Sequence, residues 1–362
     1  MRSCISAVFA LFFLAGVSGG SPGIQTIVRR HITALGGIDK IHAVHSFVKH
    51  GWYHEGDLRL NDTYTAQMRP FYRVIGSPAH KLDSIHEGYD GSAWEYYPDP
   101  GIVVRTVAQA ARTTRHSALF DDVLVDYRAH GTQLQYGGEQ TYFGNPVYLI
   151  HVTLADGFHE NVFLDRITYM IDGRAQLVPM HAYGQRYQTH DVYGDYRAEG
   201  GVMFPHTDKE IDGATGKVLD EGGVKRMEIN PVLPIAMFSP PQWDRTPLQQ
   251  LIQRLYDERD ETSAVMATYR DFASLVDLKA DATGDAIDFT GYQILKMGHP
   301  LTAVALLTQN VADHPHSARA HFGLGRALQA EGRSAEAKTE YGKALAIDPG
   351  YVRARTALDA LK

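Results

Sequence analysis

The sequence predicts an α+β protein in two parts, an antiparallel β-sheet with accompanying helices followed by an all-α solenoid of helical hairpins. Three observations support this prediction. Apolar residues recur at helical spacing in residues 24–44 and then alternate with a period of two, in segments that end at Gly, Pro, Asn or Asp. From Pro247 onward the spacing is helical again. Small residues in that last part recur every 34 positions, which indicates stacked repeats.

Residues 1–22 have the order of a secretory signal peptide. Arg2 precedes an apolar run, and small residues follow up to Ser21. We expect cleavage between Gly19 and Ser21 and a secreted or periplasmic protein, with an uncleaved anchor as the alternative. Cys4 is the only cysteine and lies inside this segment. The mature chain is therefore expected to lack disulfides and Cys-ligated metal ions.

Composition narrows the possible partners. The chain has 362 residues, 44% of them hydrophobic, which is enough for one or two cores. Its formal charge of −7 is spread without long runs of one sign. No basic surface for nucleic acid is expected, so a nucleic acid partner is excluded.

The first domain is predicted to span residues 24–238. Its first helix has Ile24, Ile27, Val28 and Leu35 on one face and ends at Gly36 and Gly37. The strands that follow include VKHGWYHEG, RLNDTYTAQM, PVYLIHVTLADG and ENVFLDRITYMIDG. Residues 102–130 contain helical stretches, which we expect either to pack over the sheet or to act as a lid.

Several segments of this domain resemble one family. They are ITALGGIDKIHAVHSFVKHG, DGSAWEYYP, LDRITYMID, YGDYRAEGGVMFPH and KRMEINPVLPIAMFSPP, which occur in the order typical of LolA/LolB/LppX-like periplasmic lipoprotein and lipid carriers. The resemblance implies a curved antiparallel sheet, an unclosed barrel wrapped over helices, with an apolar cavity for acyl chains. It therefore implies a lipid or acyl-chain ligand.

Aromatic residues on the strands are the candidates for lining such a cavity, because a partly empty sheet needs apolar side chains beyond its core. The alternative is that most of them simply pack the core. The candidate cavity residues are Trp52, Tyr64, Trp94, Tyr96, Phe163 and Tyr169.

The second domain is predicted at residues 248–362, after a Pro-rich linker at 239–247. Pro315 and Pro349 are 34 residues apart, and Gly291 and Gly325 recur at the same distance. The last repeat resembles the tetratricopeptide (TPR) family through Leu324, Gly325, Ala337, Tyr341, Ala344 and Pro349. That resemblance implies a groove for a protein partner lined by Asp288, Tyr292, Lys296, Arg319, Phe322, Arg326 and Gln329. The alternative is that the repeats only brace the first domain.

No catalytic or metal-binding motif is present in the sequence, despite 18 histidines. We therefore expect no cofactor, no metal ion and no catalytic residues. The leading hypothesis is a non-enzymatic exported lipid-binding or carrier-like protein with a protein-interaction module. A hydrolase or metalloenzyme using His190, Asp195 and His206, within residues 181–206, is the first alternative. A purely structural envelope adaptor with a solid β-domain is the second.

Overall fold

A computed structural model describes residues 22–56, 58–67, 71–76, 84–106, 108–117, 122–179, 186–240 and 246–361. Except for Pro22, the predicted signal peptide lies outside the described residues. The helices are α1 (Ile24–Leu35), α2 (Ile38–His42), α3 (Ala108–Ser117), α4 (Pro247–Asp257), α5 (Thr262–Asp271), α6 (Asp281–Lys296), α7 (Pro300–Asp313), α8 (Ala318–Ala330), α9 (Ser334–Ile347) and α10 (Val352–Asp359).

The strands follow α2 and all precede α4. They are β1 (Ser46–Glu55), β2 (Leu58–Gln67), β3 (Phe71–Gly76), β4 (Ile85–Tyr89), β5 (Ala93–Tyr97), β6 (Ile102–Arg105), β7 (Gln133–Tyr142), β8 (Asn145–Thr153), β9 (His159–Asp165), β10 (Ile171–Pro179), β11 (Arg186–Gly194), β12 (Arg197–Glu199), β13 (Val202–Phe204), β14 (Thr207–Asp212) and β15 (Val218–Ile229).

Thirteen of these strands form one antiparallel sheet that does not close into a barrel. Its order is β6-β5-β4-β3-β2-β1-β15-β14-β11-β10-β9-β8-β7, so β6 and β7 are the two edges. Strands β12 and β13 form a separate hairpin. This arrangement, together with the helices that follow it, confirms the predicted fold class.

Glycine at irregular positions allows the sheet to bend. The pairing register shifts between His50 and Gly51 in β1 and between Ile171 and Gly173 in β10. A Cβ atom at Gly51 would lie 2.1 Å from the carbonyl oxygen of Gly223 on the neighbouring strand. Only glycine permits this close approach, and bulges of this kind curve a sheet.

Helix α1 covers one half of the concave face of the sheet. Ile27 and Val28 are buried against Ile150 of β8 and Val162 of β9, in one cluster with Leu124. Helix α3 contacts strands β4 and β5 near one edge and β10 in the other half of the sheet. In the segment 102–130, which was predicted to be helical in part, residues 102–105 instead form strand β6, and α3 is the helix that packs over the sheet.

The C-terminal helices cover the β6 end of the sheet. Tyr97, Ile102 and Val104 lie in the same hydrophobic cluster as Leu251 of α4 and Ile287 of α6. The outward backbone N–H groups of β6 donate hydrogen bonds to side chains of α4. Val103 N lies 3.2 Å from Gln249 Oε1, and Arg105 N lies 3.4 Å from Gln253 Oε1. Helix α4 thus satisfies an edge that would otherwise be open to pairing.

Helices α4 to α9 form three hairpins, and α10 packs against α9 as a final helix. In two hairpins a large side chain of the second helix fills the space beside a glycine of the first: Leu307 lies beside Gly291, and Tyr341 beside Gly325. Asn310 replaces the usual alanine, and its buried amide donates a hydrogen bond to the carbonyl of Gly284 at 3.0 Å. Within the described part of the chain, none of the helices has the length and apolar character needed to cross a membrane.

Candidate ligand-binding cavity

A cavity of about 1140 Å³ lies between the concave face of the sheet and the C-terminal helices. Its volume exceeds that of an ordinary small-molecule site. The apolar part of its wall is contributed by α1, α2, the first strands, the segment after α3, the β8–β9 turn, the start of β10 and the β12–β13 hairpin. These residues include Leu35, Ile41, Val44, Phe47, Leu60, Tyr64, Val123, Val125, Phe158, Ile171, Val202, Met203 and Phe204.

Lys49 places a positive charge among the aromatic residues of this wall. Its Nζ atom lies 5.1 Å from the ring centre of Phe47, 5.9 Å from that of Tyr64 and 5.6 Å from that of Phe204. Cation-π contacts of this kind keep the ammonium group against the rings. The apolar wall therefore includes a cationic position on β1.

The floor of the cavity is acidic. Asp191 of β11 is paired in register with Glu210 of β14, and Glu210 with Asp220 of β15, so three carboxylates form a row across adjacent strands. All three line the cavity, as does Asp208. Burial, with the carboxylates of Asp208 and Asp220, raises the pKa of Asp191 to about 7, although Arg174 opposes the shift.

Arg174 provides the main positive charge beneath this row. Its Nη1 atom lies 3.8 Å from Oε2 of Glu160, a residue that is only 6% exposed. Burial raises the pKa of Glu160, and Arg174 acts against this shift. The strand alternation gave no sign of this network, because charged residues on a strand usually face solvent.

His31 of α1 extends the buried polar network. Its ring is fully buried, with Nδ1 2.7 Å from the carbonyl oxygen of Tyr169 and Nε2 3.4 Å from Oδ2 of Asp122. Burial lowers the pKa of His31, but Asp122 and the carbonyl of Tyr169 together raise it above its usual value. His31, together with Arg174, lowers the pKa of Asp122 to about 2 although burial opposes this. The pair links α1 to the segment that follows α3.

The helical repeats form the opposite wall. Five of the seven predicted groove residues line the cavity: Asp288, Tyr292, Arg319, Phe322 and Arg326. The other two, Lys296 and Gln329, are exposed and lie outside its lining. Two contacts join this wall to the sheet. The rings of Tyr97 and Phe289 are 4.5 Å apart, and Arg319 Nη1 lies 2.8 Å from Asp99 Oδ1.

The predicted cavity aromatics are divided between the two faces of the sheet. Only Tyr64 lines the cavity. Trp52, Trp94, Tyr96 and Phe163 lie on the other face: Trp52 over Gly223, Tyr96 against His86, and Phe163 stacked on Tyr142. Trp94 is fully buried and donates a hydrogen bond from Nε1 to the carbonyl of Phe238 at 3.0 Å. Tyr169 packs beside Tyr148, outside the cavity lining.

The residues of the enzyme alternative do not form one cluster, although the backbone N–H of His206 donates a hydrogen bond to the carbonyl of Asp195 at 3.1 Å. The ring of His190 lies near Tyr142 and Phe143, Asp195 pairs with Arg197, and His206 lies 3.1 Å from Glu199. Among the described residues no group of three or more His, Cys, Asp or Glu side chains is arranged to hold a metal ion.

Residues 295–361 match the family model of the tetratricopeptide repeat. No curated protein sequence matches the chain. The fold and cavity therefore define a class of architecture, an open antiparallel sheet with a concave cavity joined to tetratricopeptide repeats.

Several solved structures are similar to part of this chain. A domain named for outer membrane lipoprotein sorting, from Vibrio parahaemolyticus, is 10% identical, with 59% of this chain and 95% of that chain covered and a TM-score of 0.41. A DUF1329 family protein from Desulfovibrio piger is 11% identical, with coverages of 60% and 97% and a TM-score of 0.42. A LolA superfamily protein from Nitrosomonas europaea is 12% identical, with coverages of 60% and 97% and a TM-score of 0.41. A LolA superfamily protein, the type that the sequence resembles, is thus among the similar structures.

Proposed function

We propose that the protein is an exported, non-catalytic binding protein that holds the acyl chain of a lipid or a similar long apolar group in this cavity. The observation that carries the proposal is the cavity itself, about 1140 Å³ with an apolar wall of aliphatic and aromatic side chains. A solid β-domain, as in the structural adaptor hypothesis, would leave no such space. Export rests on the signal-like N-terminal sequence.

The size of the hydrophobic effect explains how such a cavity retains a chain. Burial contributes about 0.8 kcal/mol per CH₂ group, so each added CH₂ should tighten binding roughly threefold to fourfold until the cavity is filled. Part of this gain offsets the cost of association. Affinity should therefore rise with chain length and then level off.

The direct test is a titration of residues 23–362 with a series of fluorescent fatty acids of increasing length. Tyr64→Ala should weaken binding, because Tyr64 lines the cavity. Tyr96→Ala is the matched control, since it removes a half-buried strand tyrosine on the other face of the sheet. Equal effects of the two substitutions would contradict the assigned cavity, and no saturable binding at any length would contradict the proposal.

We also propose that the repeats contact a protein partner through the exposed surface beyond the cavity wall. This is supported by the tetratricopeptide match at 295–361 and by the exposure of Lys296 and Gln329. Site-specific photocrosslinking from position 329 in the native host should yield one defined adduct, with position 338 on α9 as the comparison. Adducts from both positions alike would contradict a specific surface.

A further inference from the structure

The concave face of the helical repeats is the second wall of the cavity. Five predicted groove residues, Asp288 and Tyr292 of α6 with three residues of α8, face the same space as Tyr64 of the sheet. The contact between Tyr97 and Phe289 and the ion pair between Arg319 and Asp99 connect this groove to the sheet. The groove is therefore part of the ligand cavity in this chain.

The two cavity-lining arginines of α8 differ in how their charge is balanced. Arg319 lies within 4 Å of three carboxylates, those of Asp99, Asp285 and Asp288. In the part of the chain that the structure describes, no carboxylate lies within that distance of Arg326, whose Nε atom is buried without a hydrogen-bond partner. Burial raises the pKa of Asp288, and the charges of Arg326 and Arg319 oppose this shift, but only Arg319 forms an ion pair with the Asp288 carboxylate.

Two aromatic rings hold Arg326 in place. Its guanidinium carbon lies 4.2 Å from the ring centre of Tyr292 and 4.7 Å from that of Phe322. Aromatic contacts of this kind stabilise a planar guanidinium group and fix its orientation. A guanidinium group that is already fixed loses less conformational entropy when it binds an anion. It can also donate two parallel hydrogen bonds to a carboxylate or phosphate.

Elsewhere in the cavity, Lys49 is a cationic position among the rings of the apolar wall, whereas the sheet floor disfavours an anion. The row of Asp191, Glu210 and Asp220 on the sheet floor repels a negative group. Because Lys49 lies among the rings of the apolar wall, a head group placed at Arg326 of the helical wall leaves those rings to the chain, and both walls belong to the same continuous cavity.

We propose that Arg326 binds the anionic head group, a carboxylate or phosphate, of an amphiphile whose chain lies between the sheet and the repeats. This inference rests on the proposed function and specifies its ligand class. In this arrangement the helical repeats bind the polar end of the ligand, and the sheet contacts the apolar end.

The test compares a sixteen-carbon fluorescent fatty acid with its neutral primary amide at pH 8, in residues 23–362. The acid should bind about tenfold more tightly than the amide, as expected for hydrogen bonds to a charged group. Arg326→Gln should remove this preference while leaving the affinity for the amide within about twofold. The matched control is Arg333→Gln, because Arg333 is an exposed arginine paired with Glu336 on α9.

The outcomes separate the inference from the proposed function. Equal affinity for acid and amide in the unmodified protein, or a preference that survives Arg326→Gln, overturns the role of Arg326 and leaves the carrier proposal intact. Absence of binding by both ligands overturns both. Loss of amide binding in Arg326→Gln would show a structural role only and also overturns the assignment.

Two further probes identify the source of the anion. Hexadecyl phosphate should displace the fluorescent acid from the unmodified protein, and Arg326→Gln should weaken this displacement. Inorganic phosphate at millimolar concentration should fail to displace the fluorescent acid. Displacement by inorganic phosphate as effective as that by hexadecyl phosphate would assign the site to a free anion and overturn the amphiphile assignment.

Discussion

The ring of Tyr341 occupies the space beside Gly325, so that a Cβ atom built on Gly325 would lie 2.5 Å from Cε1 of the tyrosine. The same relationship holds one repeat earlier, where a Cβ atom on Gly291 would lie 2.6 Å from the side chain of Leu307. Each pair joins the two helices of one hairpin. The glycine and the large residue opposite it therefore set how closely the helices of a hairpin pack.

Gly325→Ala should destabilise the protein by about 1–3 kcal/mol, because the added methyl group must displace a fully buried ring. The matched control is Gly342→Ala in α9, where a Cβ atom would meet nothing within 4 Å. That substitution should stabilise the helix by about 0.5–1 kcal/mol. Urea unfolding of both variants measures the difference, and equal effects would contradict the packing described for Gly325.

The hydrogen bonds between the backbone of strand β6 and side chains of α4 lead to a second prediction. Gln249→Ala removes the acceptor for the backbone N–H of Val103, a residue only 2% exposed. Leaving this donor unpaired should cost about 1–3 kcal/mol. Hydrogen exchange at the amide of Val103 should accelerate, whereas Gln250→Ala, on the exposed side of the same helix, should leave it unchanged. Unchanged protection in Gln249→Ala would show that the glutamine does not close the edge.

Sequence periodicity predicted the antiparallel sheet and the helical repeats because both depend on local spacing. Tyr148 and Ile150 are two positions apart in the predicted strand PVYLIHVTLADG, and both lie in the cluster under α1. The 34-residue period predicted that Gly291 and Gly325 are equivalent positions, and each lies beside a large residue of the following helix. Each of these relationships is set by residues that are close in sequence or repeat at a fixed distance.

The candidate site was less predictable because it depends on contacts between distant segments. Trp94 and Tyr64 are both aromatic strand residues, yet they lie on opposite faces of the sheet. The outer face at Trp94 is buried because Phe238, 144 residues away, packs against it. Likewise, charged strand residues such as Arg174 and Asp191 face an interior cavity. From alternation alone, such residues would be expected to face solvent. The groove on α6 and α8 was predictable, but its orientation toward the sheet was not.

The raised pKa of Asp191 predicts a pH dependence of stability. Its folded pKa is about 7, and an aspartate in an unfolded chain has a pKa of about 3.9. The folded state thus binds the proton of the Asp191 carboxyl more tightly than the unfolded state does. The contribution of this proton to the free energy of unfolding is therefore fully present below pH 4 and is lost as the pH rises toward and through 7. Asp191→Asn should therefore raise the free energy of unfolding by about 1–3 kcal/mol at pH 8, and change it little at pH 4.

The control for this prediction is Asp271→Asn, which changes an exposed aspartate at the end of α5. It should show no comparable difference between pH 4 and pH 8. Thermal unfolding at both pH values gives the comparison. A gain for Asp191→Asn that is equal at the two pH values would indicate a change in packing and would contradict the effect of ionisation.

Trp94 provides the last prediction, because the structure separates its contribution to stability from any contribution to binding. The indole is fully buried on the face opposite the cavity, with its N–H bonded to the carbonyl of Phe238. Trp94→Ala should therefore cost about 3–5 kcal/mol of stability, as for other large buried aromatics. Trp52→Ala removes a partly exposed tryptophan on the same face and should cost less.

Fatty acid affinity, measured where each variant remains folded, should be within about twofold of the unmodified protein, since neither indole lines the cavity. A large loss of affinity in Trp94→Ala without loss of stability would place the ligand on the other face of the sheet.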